Sequence, residues 1–484
     1  MIPTLPSRSF PAPRRSVLKS GLTALFGTLI CVYLFYCLIN GDTWHIKDLK
    51  FDSVSFPYTK RPEATQFCTA EEYANGHWVR RKNPPSSLDE IRTLYGVKDR
   101  GRLECDPPGW PVIAKGRVPL EEPTHIERML NQTRWKWAPR NDCHRWEMSE
   151  EAFVVRMLRS RAGLILVGDS LSEQHHEIVR NFLVSHGGPY QLRFTGSRPR
   201  IDEVFLDPNH ELTQHYLRVA GVTAERLKNP ITTFFLERHL LSMAEYDQVN
   251  SHVERYVPLS EDDGQHQWVS ESLWDARYRE QLERPVTFTV EEGIGENAKV
   301  AVQEEPTILV LNTGPHWIAS EIGTHSVPDA DVLKSYNNMI DKVLYNLTAN
   351  APPADLKVFY RATSPGHESC AEIAEPVVEN PRWNVTSDRE IYNWHLLQPF
   401  NEAWKRRISS VTIQPPPHRL DISYLDTWEM SLQRGDAKFL PPHDCLHFCY
   451  QGVIEEWQKF LWHEIVRESV NADYGMENRE PVYL

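Results

Sequence analysis

The chain has 484 residues, of which 40% are hydrophobic and 25% charged, and this composition excludes bulk disorder. Its formal net charge of −13 argues against a nucleic-acid partner, since binding to a phosphate backbone needs a basic surface. The length exceeds the usual size of a single hydrophobic core, so we expect a large main domain with an added lobe.

The beginning of the chain predicts a membrane anchor. Residues 1–20 form a tail with four basic side chains, and residues 21–39 contain no charged residue. At about 1.5 Å per residue, a helix over this stretch spans the hydrocarbon core. The basic tail places the N-terminus in the cytosol and the rest of the chain in the lumen. A cleaved signal peptide is the alternative, but its apolar region is usually shorter and ends at a small-residue site.

Cysteines and sequons agree with a lumenal protein. Glycosylation sequons occur at Asn131, Asn346 and Asn384. Six of the eight cysteines follow the apolar stretch, and an even number favours disulfides in an oxidising compartment, with buried free thiols as the alternative. No group of cysteines and histidines has the spacing of a zinc site, so we predict no metal. The six cysteines are Cys68, Cys105, Cys143, Cys370, Cys445 and Cys449.

Composition divides the rest of the chain. Residues 40–65 are polar and predict a stem. Residues 66–148 are rich in Trp, Pro and Cys and predict a small lobe that depends on cross-links. The main domain is predicted at 149–470, followed by a tail at 471–484.

Helical and strand patterns alternate through the main domain, which predicts an α/β fold with a central parallel sheet between helical layers. Residues 196–300 are less regular, and we interpret them as insertions. Short apolar runs predict strands at 164–167, 307–311, 357–360 and 418–425. Predicted helices cover 149–161, the segment after Ser170, 329–348, 386–408 and 451–468.

Ser170 is the candidate nucleophile. It follows a predicted buried strand and begins a helix, at the sheet edge where open α/β folds place their sites. The unpaired N–H groups of a helix N-terminus can stabilise the oxyanion of an acyl-transfer intermediate. The alternative is that Asp169 or Ser170 only caps the helix.

Asp444 and His447 are the candidate acid and base. In a helical turn, residues three apart lie on one face, so Asp444 can orient the His447 ring for Ser170. The flanking cysteines can fix this segment by disulfides, and a stapled surface loop is the alternative. His443 competes as the base, but no acidic residue precedes it by three positions.

Five further residues, one of them Asp169, are candidates for binding the substrate or the oxyanion. Asn312 follows a second predicted strand, and its amide offers an oxyanion donor, although a turn residue is the alternative. Gly196 is a further candidate donor. Trp317, like Trp135 and Trp137, offers a face for a sugar ring, unless it is simply packed. Arg361 is a candidate anchor for a substrate or a member of a structural ion pair.

The motifs together resemble a known family. Strand–GDS–helix, strand–NTG and a late DxxH occur in the order of the SGNH-hydrolase fold. The set resembles the PC-esterase superfamily, in particular the plant trichome birefringence-like polysaccharide O-acetyltransferases. The matching stretches are 68–79, 135–143, Leu166–Ser172, Leu311–Trp317, Phe359–His367 and Asp444–Cys449.

This resemblance implies an SGNH-like three-layer sandwich with a minor N-terminal lobe. It implies Ser170 as nucleophile, His447 as base and Asp444 as the acid that orients it. It further implies a single-pass type II protein of the Golgi membrane that transfers acetyl groups through an acetyl-serine. By matching position, it pairs Cys68 with Cys143, Cys105 with Cys449 and Cys370 with Cys445.

The chain departs from the plant pattern at three places. Glu173 stands where plant members usually have a basic residue, and Pro315 interrupts their NTGHWW motif. Their DxxH loop commonly reads DCSHWC, whereas this chain reads DCLHFC at Asp444–Cys449. The three triad positions are intact.

We therefore expect an O-acetyltransferase that acts on a polysaccharide or glycan, with acetyl-CoA or another acetyl donor as co-substrate and no bound cofactor. An esterase of the same fold shares the triad and differs only in whether water or a sugar hydroxyl accepts the acyl group. A non-catalytic glycan-binding protein is the third hypothesis, against which the intact triad argues.

Overall fold

The computed structural model describes residues 67–473 with several gaps. The predicted membrane anchor at 21–39 and the stem lie outside the described residues. Within the described part, no helix is both long enough and apolar enough to cross a membrane. The internal gaps are 96–121, 186–187, 196–199, 255, 257, 259–273, 285, 290–303, 323–326, 350–355, 379–391, 413–419 and 442–443.

A seven-stranded sheet forms the centre of the protein, with strand order β4-β5-β6-β3-β7-β8-β9. The strands β6, β3, β7, β8 and β9 are parallel, whereas β4 and β5 pair antiparallel at one edge. These strands are β3 (Leu164–Gly168), β4 (Tyr190–Thr195), β5 (Ile201–Leu206), β6 (Thr232–Leu236), β7 (Thr307–Asn312), β8 (Leu356–Arg361) and β9 (Ile422–Leu425). Two small antiparallel sheets pair β1 (His77–Arg80) with β2 (Trp135–Ala138) and β10 (Lys438–Leu440) with β11 (Asp444–Phe448).

Helices cover both faces of the sheet. Successive side chains of a strand point to opposite faces, and the apolar side chains on each face are buried by helices. On β3, Ile165 and Val167 pack into the core with α7, α8, α10 and α11, while Leu164 and Leu166 pack into the core with α4, α5, α6 and α13. The predicted three-layer α/β arrangement is confirmed. The helices are α1 (Ala70–Ala74), α2 (Leu88–Leu94), α3 (Glu122–Thr133), α4 (Glu150–Leu158), α5 (Ser170–Ser185), α6 (Glu211–Ala220), α7 (Met243–Asn250), α8 (Trp274–Leu282), α9 (Ala319–Ile322), α10 (Asp329–Ala349), α11 (Leu397–Thr412), α12 (Trp428–Leu432) and α13 (Glu455–Asp473).

The sheet is mixed, which corrects the prediction that it is parallel throughout. The interpretation of 196–300 as insertions is also wrong in part, since β5 and β6 lie in this region and belong to the central sheet. The sequence signal of β6 is weak because it begins with two threonines, Thr232 and Thr233, which are nevertheless fully buried. A strand that begins with polar residues has no continuous apolar run, so the sequence alone does not predict its burial, which depends on the neighbouring strands.

Apolar side chains within residues 68–78 and 135–148 pack into the same core as the helix α13. The Tyr73 ring stacks on Phe460 with 4.4 Å between ring centroids. The indole of Trp78 donates to the carbonyl oxygen of Met430 over 2.8 Å. A disulfide joins Cys68 to Cys143 within this segment, as the family resemblance implied.

Candidate active site

Ser170 stands at the carboxyl edge of the central sheet. The strand β3 ends at Gly168, which is paired with Leu236 of β6 on one side and Asn312 of β7 on the other. The helix α5 begins at Ser170, whose side chain is partly exposed. This is the strand-to-helix position that the sequence predicted.

The turn between β3 and α5 is held by Gly168 and Asp169. A Cβ atom at Gly168 would lie only 2.2 Å from the Asn312 carbonyl oxygen, so a side chain has no room there. The buried Asp169 accepts a hydrogen bond from the Leu171 N–H through Oδ1 at 2.9 Å. Asp169 therefore caps the helix, which leaves the Ser170 hydroxyl available for a base.

His447 and Asp444 complete a hydrogen-bonded chain with Ser170. The His447 Nε2 lies 2.7 Å from Ser170 Oγ, although the two residues are 277 positions apart in the chain. The His447 Nδ1 lies 2.8 Å from Asp444 Oδ2. A carboxylate only accepts, so Nδ1 donates to Asp444 and Nε2 is left to accept the Ser170 proton. The competing base, His443, lies outside the described residues.

Asp444 and His447 lie on a strand, β11, so the prediction of a helical turn is wrong. The Asp444 Oδ1 accepts hydrogen bonds from the backbone N–H groups of Leu446 and His447, each at 3.0 Å. These bonds curl the start of the strand toward the Asp444 side chain, as in an Asx-turn. The curl brings together two residues that a regular strand would direct to opposite faces.

The pair has the electrostatics of an acid that supports a base. Burial disfavours a charged His447 ring, but the Asp444 carboxylate outweighs it and raises the pKa of His447 above its usual value. Burial likewise disfavours the Asp444 carboxylate. The charge and hydrogen bonds of His447 nevertheless hold the pKa of Asp444 well below its usual range. The site can therefore hold an imidazolium during acyl transfer.

Two polar side chains that the sequence reasoning missed support this strand. Gln174 of α5 donates to the Phe448 carbonyl at 2.6 Å and accepts from the Phe448 N–H at 3.3 Å. Lys438 donates to the carbonyl oxygens of Leu446 at 2.6 Å and Pro365 at 2.8 Å. Gln174 was detectable in principle, since it lies one helical turn after Ser170. The bonds hold the base strand against the nucleophile helix.

A disulfide between Cys445 and Cys370 ties the same strand to the segment after β8. This is the pairing that the family resemblance implied, and it excludes a bridge between Cys445 and Cys449. Cys449 is also disulfide-bonded, and Cys105 lies outside the described residues.

The other predicted residues differ in burial, and some lie outside the described residues. Asn312 is buried beside the turn, and its Nδ2 donates one hydrogen to the Arg361 carbonyl at 3.0 Å. Gly196 lies outside the described residues. Of the sequons, Asn131 and Asn346 are partly exposed, and Asn384 lies outside the described residues.

Trp317 and Arg361 do not face a substrate, which corrects two predictions. Trp317 has 0% exposure and packs edge-on against His239 and Tyr336 in the core. Arg361 also has 0% exposure, because it ends a central strand and points beneath the turn, where Nη2 lies 3.4 Å from Ser172 Oγ. Burial lowers the pKa of Arg361 to about 10, although the charge of Asp169 opposes the shift.

Comparison with known proteins agrees with this geometry. Residues 287–464 match the family model described as PC-Esterase, a GDSL/SGNH-like acyl-esterase family found in Pmr5 and Cas1p. This match confirms the resemblance to the PC-esterase superfamily. It includes Asn312, Arg361, Asp444 and His447 but begins after Ser170, so the assignment of the nucleophile rests on the geometry.

One curated relative extends the PC-esterase resemblance to a plant protein. The chain is similar to trichome birefringence-like 6 from Arabidopsis thaliana, with 24% identity over 183 residues. The alignment covers 32% of this chain and 35% of the relative, so the chain spans about a third of that protein's length.

Proposed function

We propose that the protein is a serine O-acetyltransferase that moves an acetyl group, through an acetyl-Ser170 intermediate, onto a hydroxyl of a polysaccharide or glycan. The observation that supports this most is the hydrogen-bonded chain from Ser170 Oγ through His447 to Asp444 at the carboxyl edge of the sheet. The PC-esterase resemblance supports acyl-ester chemistry at this site.

The reaction would proceed in two steps with His447 as the shuttle for one proton. In the first, His447 accepts the Ser170 proton while Oγ attacks the acetyl carbonyl of the donor, and the imidazolium then protonates the leaving group. In the second, His447 accepts the proton of the acceptor hydroxyl, whose oxygen attacks acetyl-Ser170. The imidazolium then returns a proton to Ser170 Oγ. Asp444 stays ionised throughout and stabilises the imidazolium.

The Ser170 backbone N–H at the N-terminus of α5 would stabilise the tetrahedral intermediate. The Asn312 side chain is fully buried and donates to the Arg361 carbonyl, so it supports the turn beside Ser170. Acetyl-CoA or another activated acetyl ester serves as the donor in this scheme.

The basic tail, the uncharged stretch at 21–39 and the sequons support a setting in the secretory pathway. We propose a single-pass type II protein of the Golgi membrane with its active site in the lumen. Glycans are abundant acceptors in that compartment, which is consistent with the proposed reaction.

The test uses the full-length chain in detergent with acetyl-labelled acetyl-CoA and a panel of polysaccharides. Wild type is expected to gain label on Ser170 and pass it to a glycan, whereas Ser170→Ala gains none. Ser409→Ala, which removes an exposed helical serine hydroxyl, is the matched control and should behave as wild type. A Ser170→Ala variant that transfers label at the wild-type rate would contradict the proposal.

The description of the matched family as acyl-esterases favours a second candidate, an esterase that uses the same residues. Its acetyl-Ser170 would lose label to water in the presence of every polysaccharide. The same experiment therefore separates the two activities.

A further inference from the structure

A second histidine–carboxylate group lies at the active-site edge of the sheet. The Glu321 Oε1 lies 3.1 Å from His316 Nδ1, and its Oε2 lies 3.1 Å from His239 Nε2. The His239 Nε2 is also 3.1 Å from the His316 carbonyl oxygen. None of these residues takes part in the hydrogen-bonded chain of Ser170, His447 and Asp444.

This group lies beside the carboxyl end of the strand that leads to the nucleophile. His239 follows the end of β6 by three residues, and His316 follows the end of β7 by four. The strands β6 and β7 flank β3 on its two sides. Their extensions meet through the histidines and through Thr313, whose hydroxyl donates to the Arg238 carbonyl at 2.5 Å. The contacts therefore cross the end of β3 beyond Gly168, at the same edge of the sheet as Ser170.

The hydrogen bonds determine which nitrogen of each ring carries a proton. Burial disfavours the charged form of Glu321, but hydrogen bonds from His239 and His316 hold its pKa well below its usual range, so Glu321 is a carboxylate. A carboxylate accepts from both rings, so the proton of a neutral His316 lies on Nδ1 and that of His239 on Nε2. The His316 Nε2 then presents a lone pair.

Exposure separates the two rings. The His239 side chain is 4% exposed and packs on Tyr246 and Trp317, so it serves as an interior support. The His316 side chain is 19% exposed, and no partner for its Nε2 is found among the described residues. Those residues also contain no cluster of His, Cys, Asp or Glu arranged to hold a metal ion. A hydrogen-bond donor from a substrate is the ligand that suits Nε2.

We propose that His316 is an acceptor-binding residue, whose Nε2 accepts a hydrogen bond from a hydroxyl group of the incoming glycan, with Glu321 and His239 as positioning residues. The inference rests on the proposed function, since it concerns the second step of the same reaction. A sugar carries several hydroxyl groups, so one can attack acetyl-Ser170 while another donates a hydrogen bond to His316. A water molecule that attacks acetyl-Ser170 has no second hydroxyl group to bind at His316. His316 therefore favours transfer to a glycan over loss to water.

The test separates acylation from transfer in the full-length protein. p-Nitrophenyl acetate acylates the serine, and nitrophenolate release reports the first step without dependence on the natural donor. Cellohexaose, xylohexaose and maltohexaose are then added, and mass spectrometry measures the acetyl passed to sugar and to water. The variants are His316→Leu, which removes the lone pair, and His316→Gln, whose amide oxygen can still accept. His215→Leu is the matched control, because His215 contacts Glu151 in an exposed pair outside this group.

His316→Leu is expected to acylate within about twofold of wild type and to transfer to sugar roughly three- to tenfold more slowly, the range for one lost hydrogen bond. His316→Gln should recover part of this loss, and His215→Leu should match wild type. Transfer by His316→Leu at the wild-type rate would overturn the inference, as would an equal loss in acylation and transfer. A wild-type protein that is acylated but passes no acetyl to any sugar would contradict both the inference and the transferase, whereas absence of acetyl-Ser170 would contradict the proposed function itself.

Discussion

At the scale of single residues, the site depends on one carboxylate that performs two tasks. Asp444 uses Oδ2 to hold the His447 ring and Oδ1 to bind two backbone N–H groups of its own strand. The same side chain thus sets the tautomer of the base and the local shape of the chain that presents it. The loss of its charge should alter both.

Replacement of Asp444 by Asn should change the pH dependence of acyl transfer. His447 must be neutral to act as a base, and Asp444 raises its pKa, so wild-type activity should increase as the pH rises through a value above the usual one for histidine. Asp444→Asn should move this rise to lower pH and reduce kcat by roughly 10³- to 10⁴-fold, since it also favours the wrong tautomer. A pH–rate profile with p-nitrophenyl acetate measures both effects. Asp89→Asn, at an exposed position, is the control, and an unmoved profile in Asp444→Asn would contradict the assignment.

The sequence predicted the triad residues but not the geometry that joins them. Ser170 was predictable because a buried apolar run directly precedes it, and Asp444 and His447 because of their spacing between cysteines. Their placement on a strand was not predictable, because the Asx-type hydrogen bonds of Asp444 override the regular strand geometry. Trp317 and His316 could not be ranked either, since adjacent residues after a strand differ in burial only through the tertiary fold.

At the scale of elements, the unit β3–turn–α5 positions the nucleophile. The main chain at Gly168 passes so close to β7 that the turn has room for a hydrogen atom only. Asp169 then caps the helix, and Gln174 attaches the helix to the strand of the base. The unit β3–turn–α5 therefore aligns Ser170 with the strands β7 and β11.

Gly168→Ala should disrupt this alignment. The added Cβ would lie 2.2 Å from the Asn312 carbonyl oxygen and 2.4 Å from Ser172 Oγ. The carbonyl belongs to the backbone of β7, so it cannot move away without distorting the sheet. We expect a loss of about 1–3 kcal/mol in the free energy of unfolding, the range for overpacked interiors, and slower acylation of Ser170. Urea unfolding and nitrophenolate release measure the two effects. Unchanged stability together with unchanged acylation would show that the turn is looser than described.

Strands with continuous apolar runs were predictable from the sequence. Strands whose position depends on pairing with a neighbouring strand were not. The strands β3, β7 and β8 were predicted within about a residue, since each is buried on both faces. The antiparallel strands β4 and β5 were missed, because β4 is an exposed edge strand and its pattern depends on a hairpin partner. Strand direction at a sheet edge follows from such connections and has no signal in a single strand.

At the scale of the whole molecule, the segment before the main domain completes its core. The Trp78 ring is 2% exposed, donates to α12 and lies under the guanidinium of Arg434 at 4.4 Å. The chain therefore places residues nearly 400 positions apart, such as Cys68 and His463, in direct hydrogen-bond contact at 2.9 Å. The added lobe predicted from composition shares its packing with the last helix.

Trp78→Ala should destabilise the whole protein. A large buried indole is lost together with its hydrogen bond to Met430, which is expected to lower the free energy of unfolding by about 3–5 kcal/mol. Trp135→Ala is the matched control, because Trp135 is only partly buried, and should cost less. Thermal unfolding of both variants measures the difference. An equal loss of stability in Trp78→Ala and Trp135→Ala would contradict the role assigned to Trp78.

The central claim is that Ser170 is a nucleophile activated by His447, and a fluorophosphonate probe tests it most directly, because the probe reacts with activated serines without need of the natural donor or acceptor. Peptide mass spectrometry of the labelled full-length protein would locate the adduct. We predict an adduct on Ser170 in the wild type, none at this position in Ser170→Ala, and a strongly reduced amount in His447→Ala. An adduct on another serine, or equal labelling of Ser170 with and without His447, would contradict the claim.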